Sequence, residues 1–333
     1  MNEQEKTRHI GRREFFTRTA KAVISIGAAG VISRLFYDKK GPQRDSKAEK
    51  LVTLPDFSIL PEAGKTISVV KGADRVRSVN KAIELLGGIK RFVKNGETVV
   101  IKPNVAFASP AMLGATSNPE LVAEVIRLCY KEAGAKEVFV IDNPINDPAS
   151  CFMLSGIEKA ATSAGAKIIM PAPPLFANIT VKDATLIKHW PIFFGPLEKA
   201  DKLIGIAPVK HHQRSGASMA MKNWYGLLGG RRNTFHQNIN GIITELAMMV
   251  KPTLVILDGT MVMMTNGPTG GSLSDLKRAN TMIASCDMVA ADSCGCELLG
   301  KKVSDLPYLV KAQEYGIGTT NWQSLNPATA TLE

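Results

Sequence analysis

From about residue 51 onward, short apolar runs alternate with amphipathic stretches. The β-branched run at 66–70 predicts a strand. Residues 76–86 place Val79, Ile83 and Leu86 at helical spacing. A buried strand is predicted at 97–101, entered through Asn95-Gly96 and closed by Lys102-Pro103-Asn104. Residues 121–133 read as a helix stopped by Gly134. A strand at 138–141 leaves through Asp142-Asn143-Pro144, a helix follows at 151–164, and a short strand at 167–170. Residues 175–191 predict a small antiparallel excursion. Residues 202–206 form another apolar strand, and 216–226 predict a helix with Ala217, Met221, Trp224 and Leu228 on one face. A helix at 239–250 and a strand at 253–257 lead into Asp258-Gly259, with a second strand at 261–264. Residues 282–284 lead to Ser285 as a helix N-cap, and 308–315 is the last helix. Strands alternating with helices indicate an α/β fold: a largely parallel sheet flanked by helices, with that antiparallel excursion. Ligands of such sheets lie outside the carboxyl ends of the strands. The polar groups at 102–104, 142–143, 210–212 and 258–259 each follow a predicted strand, so one edge can gather all four.

The first 37 residues read differently. Gly11-Arg12-Arg13-Glu14-Phe15-Phe16 resembles a twin-arginine export signal, followed by an apolar stretch at 22–32. That stretch is shorter than the about 20 apolar residues a bilayer span takes, and it suits a signal h-region. The expected location is periplasmic or otherwise extracytoplasmic, with the twin-arginine machinery as a partner. Gly27-Ala28-Ala29 matches a cleavage site only weakly, so removal and retention as an N-terminal membrane attachment both stay open. Export of folded chains by this route implies a cofactor loaded beforehand, metal or redox, without naming it. Residues 38–64 read as a linker, leaving 65–333 as one α/β domain.

Composition adds one local fact. The chain has 333 residues and a formal charge of +11. Residues 1–50 hold 12 of the 41 basic and 6 of the 30 acidic side chains. The excess is therefore largely in the leader, and with 6% aromatics nucleic acid is not an expected partner. Between Asp201 and Glu245, however, there is no acidic residue. That interval carries Lys202, Lys210, Arg214, Lys222, Arg231 and Arg232, with His211, His212 and His236. An acid-free basic segment between apolar runs is the wall of an anion site. The five cysteines make no closely spaced run, so neither an iron–sulfur cluster nor a disulfide framework is expected.

IKPN at 101–104, KHH at 210–212, MKNWYG at 221–226, DGTM at 258–261, NGPTGG at 266–271 and SCDMVAAD at 285–292 together resemble the domain of unknown function 362 family. The resemblance runs from about residue 66 to 318. It implies a shared site, not a named reaction, and this chain lacks the ferredoxin-like cysteine module of some members. The candidate site takes Lys102, Asn104, Lys222 and Asn223 for ligand or cofactor binding. Gly267 and Gly270 join them as an anion nest, though a plain turn is equally open. Lys210, His211 and Asp258 are the candidate catalytic groups, with His211 as acid/base. His211, His212 and His236 could make a metal site. Adjacent residues of a strand point to opposite faces, however, so no metal is assigned. The expected partner is an anionic small molecule. The chain is then an enzyme acting on a carboxylate or phosphate compound, or a non-catalytic protein that captures such a ligand or a cofactor.

Overall fold

The apolar runs form a central sheet in the computed structural model, which describes residues 52–333 and, before them, positions 13, 16, 17 and 19. The export signal and most of the linker read from sequence lie outside the described residues. The strands are β1 (Ile67–Lys71), β2 (Thr98–Lys102), β3 (Glu137–Ile141), β4 (Lys167–Ile169), β5 (Phe176–Ile179), β6 (Trp190–Phe193), β7 (Lys202–His212), β8 (Gly216–Ser218), β9 (Leu254–Met263), β10 (Leu276–Ser285) and β11 (Ala328–Thr331). The large sheet runs β11-β1-β10-β9-β7-β2-β3-β4, with β8 folded back on β7. Its ladders are parallel except where β10 meets β1 and β9 and where β8 meets β7.

Both faces of the sheet are covered, which is why its strands read as nearly continuous apolar runs. The principal helices are α1 (Arg75–Leu85), α2 (Pro119–Arg127), α3 (Pro148–Leu154), α4 (Ile157–Ser163), α5 (Ala220–Asn223), α6 (Ile239–Met249), α7 (Met288–Leu298) and α8 (Pro307–Glu314). Val99, Ile101, Leu254 and Ile256 pack with Val79 and Ile83 of α1 and Val125 of α2. Their neighbours Val100, Val255 and Leu257 point the other way, toward Ile242 of α6, Val289 of α7 and Leu309 of α8. Burying each such aliphatic side chain stabilises by roughly 1.5–3 kcal/mol. The excursion is the β5–β6 hairpin, Phe176 paired with Phe193 and their rings stacked at 5.3 Å. Glu245 of α6 ties its turn down by accepting from the backbone N–H of Thr185, Leu186 and Ile187.

Several expectations are corrected. Residues 216–226 are not one helix. Gly216, at φ +78°, starts β8, which pairs back onto Lys210, His211 and His212; one turn of α5 follows, then a 3-10 turn at Trp224–Leu227. The strand read at 261–264 is the far end of β9, and 282–284 is the end of the ten-residue β10 that pairs with it across a bulge. The helix read at 151–164 is two, parted at Gly156, which sits at φ +76°. Strand β11 has no sequence signature: ATAT lies half-exposed at the sheet edge. Residues 52–64 pack on the body, with Phe57 only 2% exposed and its N–H bonded to the Lys251 carbonyl.

Candidate functional site

Strands β2, β3 and β7 end side by side. Lys102 is the last residue of β2, Asp142 follows β3, and Lys210 and His212 lie at the end of β7. The turn of α5 brings Lys222 and Asn223 over this edge, and the 3-10 stretch Arg232–Asn238 returns with Arg232 and His236. These side chains line a cavity of about 70 Å³.

Its charges do not balance. Lys102, Lys210, Lys222 and Arg232 face one carboxylate, Asp142. Lys102 is 1% exposed and lies 2.7 Å from Asp142 Oδ1. Its Nζ also donates to the Pro103 carbonyl and to Asn223 Oδ1. Burial pulls its pKa down and Asp142 pulls it up; three acceptors for three N–H groups fit the charged ammonium. Lys210 Nζ donates to the Ala115 carbonyl and to Asn104 Oδ1, over the face of Phe107. Burial, with the charge of Lys222, brings its pKa down to about 7. The Lys222 ammonium sits 5.3 Å from the centre of the Tyr225 ring and has no hydrogen-bond acceptor among the described residues. Burial, reinforced by Arg232 and Lys102, lowers its pKa to about 8. Arg232 is spent on the carbonyls of Asn143 and Pro144.

The two asparagines act as braces. Asn223 Nδ2 donates to the Lys102 and Ile206 carbonyls, and its Oδ1 accepts from Lys102 and from Asn104 Nδ2. Asn104 is likewise filled by Asn223 and Lys210. They hold the lysines in place, and one N–H of Asn104 is left without an acceptor among the described residues. Beneath α5, the buried Asp292 accepts from the N–H groups of Ala220 and Met221. It thereby fixes the turn that presents Lys222.

The histidines separate by strand alternation. Lys210 and His212 line the cavity and His211 does not. His211 Nδ1 instead accepts from the Gly267 N–H at 3.2 Å. The expected placement of His211 at this cavity is therefore corrected: its neighbour His212 lines it instead. His212 Nδ1 accepts from the backbone N–H groups of Arg214 and Ser215, so its ring proton is on Nε2. Burial and the nearby lysines push its pKa down to about 2, and the ring is neutral. Among the described residues no three His, Cys, Asp or Glu side chains come together as a metal site.

Asp258 is also placed elsewhere. On β9 it shares the face of Leu254 and Ile256, toward α1, where its Oδ2 receives Arg75 Nε at 2.8 Å. Its Oδ1 accepts from Thr260. Gly267 and Gly270 do not line the cavity; Pro268 of that loop does. A Cβ on Gly267 would fall 1.8 Å from the His211 carbonyl oxygen, so its glycine serves loop packing. From sequence, Asp142 reads only as a strand-end group, and His212 and His236 only as possible metal ligands. Counting by two from Lys210 reaches His212, and Asp142 follows its strand as Lys102 ends its own. Arg232 had only the acid-free run to mark it.

A model of the family described as "Domain of unknown function (DUF362)" matches residues 99–297. The chain is 26% identical over 251 residues to the "Thylakoid-associated protein sll1697" of Synechocystis sp., covering 73% of this chain and 75% of that one. Among solved structures, the lactate racemase apoprotein from Thermoanaerobacterium thermosaccharolyticum is 14% identical, with a TM-score of 0.39. The match covers 77% of this chain and 60% of that one. A protein from Thermotoga maritima is 14% identical with a TM-score of 0.37, over 68% of this chain and 58% of its own. The chain thus spans under two thirds of either structure.

Proposed function

We propose, on the premise that the chain belongs to the family described as "Domain of unknown function (DUF362)", that its cavity binds a small anionic molecule through a carboxylate or phosphate and acts on it as an enzyme. Uncompensated cationic charge at the cavity carries the reading. Four cationic side chains share the cavity with one carboxylate, and the Lys222 ammonium lacks an acceptor. Lys222 is only partly buried, so its free ammonium can be reached from the cavity, and an anion there would pair with it. Chemistry is supported by Lys210, whose pKa of about 7 lets it give or take a proton near neutrality. The alternative is a binding protein without turnover. It is favoured by Lys102, locked by three acceptors, and by the neutral His212, neither of which can readily move a proton.

Titration calorimetry with inorganic phosphate and acetate at low ionic strength tests the shared part. Wild type should bind at least one of them, and Lys222→Met should weaken that binding about tenfold or more, the effect of one charge-assisted hydrogen bond. No binding of either by wild type would end the proposal. Native mass spectrometry of the protein as isolated would then reveal a retained organic or metal-bearing mass, which separates a cofactor-loaded enzyme from an empty binder.

The location is part of the same proposal: the Arg12-Arg13 segment directs twin-arginine export. No helix among the described residues is long and apolar enough to cross a membrane. Replacing Arg12→Lys and Arg13→Lys together should leave the protein in the cytoplasm by fractionation. Normal export of that double variant would exclude the route.

A further inference from the structure

The two histidines lining the cavity are held in opposite tautomers. At His212, two backbone N–H groups point at Nδ1, at 3.1 Å from Arg214 and 3.2 Å from Ser215. Nδ1 must be the lone pair there, and Nε2–H is the donor. At His236 the order reverses. Nδ1 lies 3.2 Å from the Asn233 carbonyl oxygen, which can only accept. Tyr225 Oη lies 3.3 Å from the same nitrogen, but its one proton goes to the Arg232 carbonyl at 2.6 Å. So Nδ1 of His236 carries the proton, and its Nε2 is a bare lone pair. Among the described residues nothing bonds Nε2 of either ring. Each ring thus has its Nδ1 occupied and its Nε2 unbonded, and both residues line the cavity.

A cavity built only for a bare anion would offer donors alone. This one offers Lys222 Nζ and His212 Nε2–H as donors, with His236 Nε2 as an acceptor among them. Resting on the reading that an anion binds here, we propose that the cavity selects an oxyanion that carries a hydroxyl proton of its own. The charged oxygens take the hydrogen bonds of Lys222 and His212, and the hydroxyl donates to His236 Nε2. Hydrogen phosphate and a carboxylate with an adjacent hydroxyl both present that chemistry. Sulfate and a plain carboxylate present only lone pairs, and would set an oxygen against the His236 lone pair or leave it unpaired. Sites with a fixed polar group reject ligands that cannot satisfy it far more strongly than they reject a missing methylene. An ammonium in place of the hydroxyl would meet Lys102, Lys210 and Lys222, so amino-acid zwitterions are disfavoured. The size agrees: a cavity of about 70 Å³ takes only a small ligand.

Two probe pairs test the idea by calorimetry at pH 7.5 and matched ionic strength: phosphate against sulfate, and glycolate against acetate. The first pair is matched in shape and, at that pH, nearly in charge, differing in the proton. Wild type should prefer the proton-bearing member of at least one pair by about tenfold or more, the effect of one satisfied rather than opposed hydrogen bond. The pair that discriminates identifies whether the ligand is of phosphate or hydroxy-carboxylate type. His236→Phe, with its fold checked by circular dichroism, should bring that ratio close to one. Equal wild-type binding within both pairs, all lost in Lys222→Met, would overturn this inference while leaving the anion reading intact. Discrimination that persists in His236→Phe would also overturn it, because the acceptor would lie elsewhere. If wild type bound none of the four, both would fall.

Discussion

Gly226 leaves no space for a methyl group. A Cβ there would lie 1.9 Å from Asp142 Oδ1 and 2.8 Å from Lys102 Nζ. The backbone has come this close because its carbonyl also receives the Asn143 N–H at 2.9 Å, joining the segment after α5 to the end of β3. The one buried carboxylate of the cavity is thus wedged between a glycine and a lysine. Gly226→Ala must push Asp142 away from Lys102. Removing one partner of a buried pair costs about 3–5 kcal/mol; pushing the pair apart should cost up to that much, or roughly 10 °C of melting temperature for a domain of this size. Thermal unfolding followed by circular dichroism should show that loss, and phosphate binding should weaken because Lys102 and its brace Asn223 shift together. A variant melting within a degree of wild type would mean that the loop slides without disturbing the pair. The same crowding explains Asn104 and Asn223. Chosen from sequence as ligand groups, both are engaged in bracing: Asn223 through all its polar groups, Asn104 through Oδ1 and one bond from Nδ2.

The strands that reach the cavity were legible in the sequence because they are buried on both faces, which turns each into an unbroken apolar run ending at the first polar residue. That same ending marked Lys102, Asp142 and Lys210 correctly as neighbours at one edge. It also marked Asp258, wrongly, since position along a strand does not say which face a side chain takes. Counting by two from Leu254 and Ile256 carries Asp258 to α1 and Arg75, and counting by two from Lys210 carries the site to His212 rather than His211. Alternation was available from the sequence; what it lacked was the length of β7, which runs through His212 instead of stopping near 206. Elements held by tertiary contacts were not legible at all. β8 exists because it pairs with β7, and β11 because β1 offers it an edge. The single turn of α5 is held by Asp292 from another helix, a residue whose carboxyl burial pushes up to about 7.

Taken together, the buried lysines tie the protein's stability and its affinity to pH with opposite signs. Lys210 and Lys222 have folded-state pKa values of about 7 and about 8 against an ordinary 10.5. Between about 7 and 10.5 the unfolded chain therefore holds more protons than the empty native one, and stability from these groups rises with pH across that window. Anion binding needs the ammonium forms, so affinity falls from about pH 7 upward. His212 does not titrate in this window, having been pushed down to about 2, and His236 is already neutral because burial and Lys222 lower its pKa. Asp292, raised to about 7, is still losing its proton at the lower end of the window, but it does so in wild type and variant alike and drops out of their difference. The comparison that isolates Lys222 is the melting temperature of wild type minus that of Lys222→Met, from pH 7 to 9.5. Without anion the difference should move in favour of wild type as pH rises, since the buried charge that only wild type carries is being removed. With saturating phosphate the difference should shrink over the same range, because phosphate then loses the cation it binds. Parallel slopes with and without phosphate would mean that the anion does not sit on Lys222, and that the uncompensated charge of this cavity is relieved in some other way.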